Sequence, residues 1–189
     1  MKEIAAVVAI TLTFIGYIPY MRDTISGKTR PHVYTWFIWA LVSFIAFGLQ
    51  LSDNAGPGAY VTLAACIACI IIFILGMRQG DKDITTSDTV FLVLALLAIV
   101  LWIFAKQPVA SIILASSTEF LAFVPTVRKS WHKPHQETLA SYVINTFRHG
   151  LSVYSLQRYT IITTLYPASW TIANGIFAIV LLMRRKKLG

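Results

Sequence analysis

Two charged side chains interrupt long apolar runs in this 189-residue chain: Glu119 in IILASSTEFLAFV and Arg148 in LASYVINTFRHGLSVY. A charge in a hydrocarbon setting costs at least ~2.5 kcal/mol unless it is paired or wetted. Glu119 lies eight residues before Val127 and Arg148 nine after Leu139, so on helices both would sit about 12–14 Å deep. An ion pair between them is therefore expected. Two chemistries remain open for it: a structural lock between helices, or a site that binds a charged group or exchanges a proton. His149 follows Arg148 directly and is a second candidate for protonation. At helical spacing Tyr142, Asn145, His149 and Ser152 share one arc, with Arg148 at its edge. Aromatic rings beside hydrogen-bonding groups suit a planar or sugar-like solute held by stacking and polar contacts.

The elements that carry these residues are apolar throughout. The chain is 57% hydrophobic and 13% charged, against about 25% charged in soluble domains. Seven runs stand out: Ile4–Met21, Val33–Leu51, Ala59–Met77, Thr89–Ala105, Val109–Val127, Leu139–Leu156 and Ile161–Met183. Each is long enough as a helix to cross a core of about 30 Å. Helices satisfy their own backbone in lipid, so an all-α membrane protein with seven transmembrane helices is expected. No small-residue cleavage site precedes Tyr17-Ile18-Pro19-Tyr20, and the first run is read as a mature span. Cys66 and Cys69 lie among Ile and Ala on one span, where packing is the expected role.

The net charge of +8 is spread between the runs and not gathered on a soluble face, which argues against nucleic acid as a partner. Alternate loops hold twelve and three Lys or Arg residues. Arg22, Lys28, Arg30, Arg78, Lys82, Arg128, Lys129, Lys133 and Arg184 to Lys187 make the larger group. The positive-inside rule then places the N-terminus outside and the C-terminus in the cytoplasm, with the plasma (inner) membrane the expected location.

A shift of 106 residues lays the second half of the chain on the first. Phe14, Pro19, Arg22, Ile38, Tyr60, Ile70, Leu75, Met77 and Arg78 meet Phe120, Pro125, Arg128, Ile144, Tyr166, Ile176, Leu181, Met183 and Arg184. No gap is needed. Runs one to three match runs five to seven, and the lone fourth run restores the direction, so the copies are parallel repeats. The expected plan is two three-helix bundles joined by a linker helix, 3+1+3. The first repeat covers 1–79, the linker and its flanking loops 80–108, and the second repeat with its basic tail 109–189. Under the shift, Trp36 and Trp39 occupy the places of Tyr142 and Asn145. A Pro within a span frees a carbonyl one turn back and kinks the helix, which makes Pro19 and Pro125 candidate gating hinges.

The segments IPYMRDTISGKTRPHVYTW and VPTVRKSWHKPHQETLASY resemble the signature of the SWEET and PQ-loop transporter superfamily. In that family a Pro-Gln near the end of each bundle's first helix is followed by a basic loop and the polar-aromatic start of the next. Pro19 and Pro125 match the proline, while Tyr20 and Thr126 stand in place of the glutamine. SWTIANGIF is similar to the family's seventh-helix motif, which implies a place near substrate for Asn174; the repeat-related position is Ala68.

The expected function is transport of a small polar solute (a sugar, an amino acid or a vitamin-like metabolite) by alternating access between the repeats. Trp36, Trp39, Glu119, Tyr142, Asn145, Arg148, His149 and Asn174 are the expected binding residues, and Glu119 or His149 the proton couplers. The alternative is a non-transporting membrane protein, an embedded enzyme or a partner subunit, in which Glu119 and Arg148 pair structurally. A retinal photosensor needs a lysine in the last span, and Ile161–Met183 has none. No nucleophile or metal-ligand motif accompanies the polar residues, so neither catalysis nor a cofactor is expected. The expected partners are the solute, the lipid bilayer and protons, with association of identical subunits left open.

Overall fold

The computed structural model describes residues 1–27, 31, 33–79, 85–132, 134 and 139–188, with the side chains of 124–126, 128, 129 and 188 set aside. Among the described residues the secondary structure is helical, with no strand: α1 (Lys2–Ile25), α2 (Val33–Ser52), α3 (Pro57–Gln79), α4 (Thr86–Ile99), α5 (Pro108–His132), α6 (Leu139–Tyr154) and α7 (Ile161–Leu188). A π-helical turn, Val100–Phe104, extends α4. Lys28, Arg30, Lys82 and Lys133, which entered the charge asymmetry, lie outside the described residues.

Among the described residues five helices are long and apolar enough to cross a membrane: Lys2–Ile25, Val33–Ser52, Pro57–Arg78, Thr86–Phe104 and Ile161–Lys187. Such helices are those of an integral membrane protein. The other two expected spans are shorter as apolar helices. The apolar part of α5 among the described residues is Pro108–Phe123, and α6 has 16 residues, about 24 Å of rise. The last residues of the sixth run, Ser155 and Leu156, close a turn onto Ser152 and Val153 instead of continuing the helix.

Large apolar side chains face outward, among them Val7 and Ile18 on α1, Val93 on α4, and Ile172, Ile176 and Ile179 on α7. Small residues turn inward. Ala59, Ala64, Ala65 and Ala68 are all buried on α3. Small side chains let backbones approach where lipid supplies no hydrophobic drive for helices to associate. Cys66 and Cys69 are buried and free, and Cys66 Sγ donates to Ala40 O at 3.4 Å.

Helix α3 packs extensively on both α1 and α2, and α7 on both α6 and α5. Across the molecule α1 meets α6, α2 meets α5, α3 meets α6 and α2 meets α7. One pair of ring contacts also repeats at the shift of 106: Tyr17–Trp36 has centroids 6.1 Å apart and Phe123–Tyr142 6.2 Å.

The end formed by the α2–α3 and α6–α7 turns is tied by polar contacts. Asn54 at φ 57 and Gly56 at φ 69 turn the chain sharply after α2, and Ala55 N–H reaches back to Gln50 O at 2.9 Å, a left-handed helix stop. Gln157 N–H then donates to Ala55 O at 2.8 Å. Asp53 pairs with Arg158 at 2.9 Å and accepts from the Thr160 hydroxyl. Lys2 Nζ caps Leu156 O at 2.5 Å.

Gly58, at the start of α3, carries the closest approach to a backbone atom at this end. A Cβ there would lie 2.7 Å from Leu156 Cδ2 and 2.7 Å from Ser152 O, the latter a backbone atom that cannot swing aside. Ser152 Oγ already donates to Gly58 O at 3.1 Å. Gly58→Ala is expected to lower stability by about 1–3 kcal/mol, read by thermal unfolding in detergent. Gly16→Ala, whose Cβ would find Ile144 Cγ2 at 3.6 Å, is the matched change expected to do little.

Candidate functional site

The interior polar residues gather around α7. Tyr166, Trp170 and Asn174 recur at intervals of four and are all buried, one inward stripe on that helix. Trp170 Nε1 donates to Glu119 Oε2 at 2.7 Å, and Tyr166 Oη donates to Glu119 Oε1 at 3.3 Å. Tyr166 has one proton, engaged on Glu119, so the 3.2 Å contact with Ser43 is donated by Ser43 Oγ. A directed chain thus runs from Ser43 on α2 through Tyr166 on α7 to Glu119 on α5. The Trp170 ring is sandwiched between Phe120 at 5.0 Å and His149 at 6.4 Å, both near parallel.

The expected ion pair does not form. Among the described residues no contact within 4.0 Å joins Glu119 to Arg148, although the two charges are in electrostatic reach. The reason is the position of α7. It packs on both α5 and α6 while those two helices hardly touch, so Trp170 and Tyr166 reach the carboxylate first. Arg148 Nε instead donates to Asn145 Oδ1 at 2.9 Å, and its guanidinium lies 5.8 Å from the Tyr17 ring centre. Its Nη1 is buried without a hydrogen-bond partner.

Trp36 is buried between Tyr17, Tyr20 and Trp39, with centroids 5.0–6.1 Å away. Trp39 is half-buried and its Nε1 is a second buried donor without a partner. Leaving such a group unpaired costs about 1–3 kcal/mol. Tyr142 packs on Phe123 and Phe177. Asn174 is buried, with Nδ2 bonded back to Trp170 O at 2.7 Å. Pro19 lies within the unbroken α1 and is exposed. Pro125 falls within α5 by its backbone, and its side chain is outside the described residues.

Sequence reasoning passed over Tyr166, Trp170 and Tyr17. The two on α7 were detectable, since each is four residues from the next along the stripe ending at Asn174. A third proline, Pro167, was also missed. It is buried within α7 and has no N–H to offer the carbonyl four residues back. That carbonyl, Thr163 O, accepts from Gln50 Nε2 of α2 at 3.1 Å.

Comparison with protein-family models, with curated proteins and with solved structures gives no match for this chain.

Trp170→Phe keeps the ring between Phe120 and His149 and removes only the donor to Glu119. It is expected to lower stability by about 0.6–2 kcal/mol, the span of hydrogen bonds between membrane helices. Combined with Glu119→Gln it should be less than additive, as a double-mutant cycle on thermal unfolding would read.

Proposed function

We infer that the chain is a membrane transporter of a small polar solute, built as two parallel three-helix repeats joined by α4 and working by alternating access. The observation that carries this reading is the buried polar cluster of Glu119, Arg148, His149, Ser43 and Tyr166, drawn from α2, α5, α6 and α7. Intramembrane ionisable groups are costly enough that function is their default explanation. The repeat plan is supported by helix contacts that exchange under the shift of 106: α1·α6 with α5·α2, and α3·α6 with α7·α2. Together with the resemblance to SWEET and PQ-loop transporters, these contacts support a pathway between the repeats.

On this reading the basic ends of α1, α3, α5 and α7 face the cytoplasm and the Asp53–Arg158 end faces outward. That pair joins the α2–α3 turn to the α6–α7 turn. With Arg158 more than half exposed, such a bridge is worth about 0.2–1 kcal/mol. It is weak enough to open and close within a transport cycle.

A structural role for Glu119 is favoured by its two donors, which engage both carboxylate oxygens without any solute. Transport itself and proton coupling are separable in proteoliposomes. Counterflow of labelled solute should appear with the wild type and fall at least about tenfold in Trp36→Ala/Trp39→Ala. If Glu119 carries protons, Glu119→Gln should lose uptake driven by an imposed pH gradient and keep counterflow. Loss of neither assigns Glu119 to structure, and absence of counterflow across sugars, amino acids and vitamin-like aromatics refutes the transport reading.

A further inference from the structure

We propose that the central site takes a carboxylate, with Arg148 as its anchor and the Trp39 indole N–H as its second donor. This deepens the transport reading and rests on it for the location of the site. Arg148 is 4% exposed, yet its strongest potential partner is engaged elsewhere. Both oxygens of Glu119 accept from Trp170 and Tyr166. The neutral Asn145 amide takes Nε, and the Tyr17 ring covers one face of the guanidinium. Nη1 is left buried and unpartnered. His149, adjoining on α6, is turned to Tyr166 and Trp170 and supplies no negative charge.

The second orphaned donor belongs to the same aromatic cluster. Tyr17 touches Trp36 edge-on, and Trp36 touches Trp39 edge-on, so one run of rings joins the guanidinium to the Trp39 indole. Trp39 is also the repeat equivalent of Asn145, the residue that holds Arg148. A buried cation with an orphaned N–H describes a site short of an anion, and the orphaned Trp39 N–H along the same run of rings is the second donor proposed for it. A guanidinium fork matches a planar carboxylate and gains little from a neutral amide. Among the described residues the other orphaned atoms, Gln50 Oε1 and Ser116 Oγ, include no further cation, so a single negative charge is the expected complement.

The test is thermal unfolding of the full chain in lipid nanodiscs with four acid–amide pairs: acetate and acetamide, lactate and lactamide, benzoate and benzamide, glutamate and glutamine. A ligand that binds the folded state raises its stability. At least one acid should bind about tenfold or more tightly than its amide. Arg148→Lys should lose part of that preference, Arg148→Met all of it, and Trp39→Phe a few-fold. Equal shifts for acid and amide, no acid-selective shift across the panel, or a preference that survives Arg148→Met overturns the proposal. If the Arg148 variants do not fold, the wild-type comparison and Trp39→Phe decide it alone. Acid binding without counterflow would defeat transport and leave this site standing, whereas counterflow of neutral solutes with no acid preference would do the reverse.

Discussion

Inside an apolar slab a carboxylate must find its hydrogen bonds within the protein, and the way Glu119 does so organises the interior. Its oxygens accept from Trp170 Nε1 at 2.7 Å and Tyr166 Oη at 3.3 Å. Because Ser43 in turn donates to Tyr166, one chain of hydrogen bonds joins three helices. The bonds are directional, so α7 is fixed both in rotation and in depth against α5 and α2. In a medium without water each link polarises the next, and removing one exposes the others.

The same requirement explains Pro167. A proline in a membrane helix leaves a carbonyl that lipid cannot satisfy, and Gln50 Nε2 from α2 takes up Thr163 O. What reads as a defect in α7 becomes a second attachment between α2 and α7. Arg148 is the contrasting case. Its Nε is satisfied by Asn145 one turn away, but Nη1 is not satisfied within the protein. The interior thus combines a carboxyl group with both oxygens engaged and a cation that is only partly held.

Much of the candidate site was legible because charge in an apolar run is conspicuous. Glu119 and Arg148 stood out for that reason, and both proved buried with His149 beside them. The inward arc on α6 was also readable, since Arg148, His149 and Ser152 are its buried residues. The pairing was not readable. Depth along a helix follows from counting residues at 1.5 Å each, but lateral neighbours depend on packing order. Helix α7 lies against both α5 and α6, and no count along the chain says so. Trp170 and Tyr166 were not read as site residues because nothing along the chain says that their donors reach Glu119.

The amino-acid sequence alone determined the helical, membrane-spanning character, through runs whose length and apolarity leave the backbone no other way to satisfy itself in lipid. It also determined which residues would be costly to bury, and the 106-residue echo between the halves. Only the tertiary structure decided which donor reached Glu119, that Gln50 would serve the carbonyl freed by Pro167, and that Arg148 would keep an unpaired N–H. The reason is geometric: periodicity orients a side chain on its own helix, whereas hydrogen bonds of about 3 Å between helices depend on the lateral order and rotation of several at once.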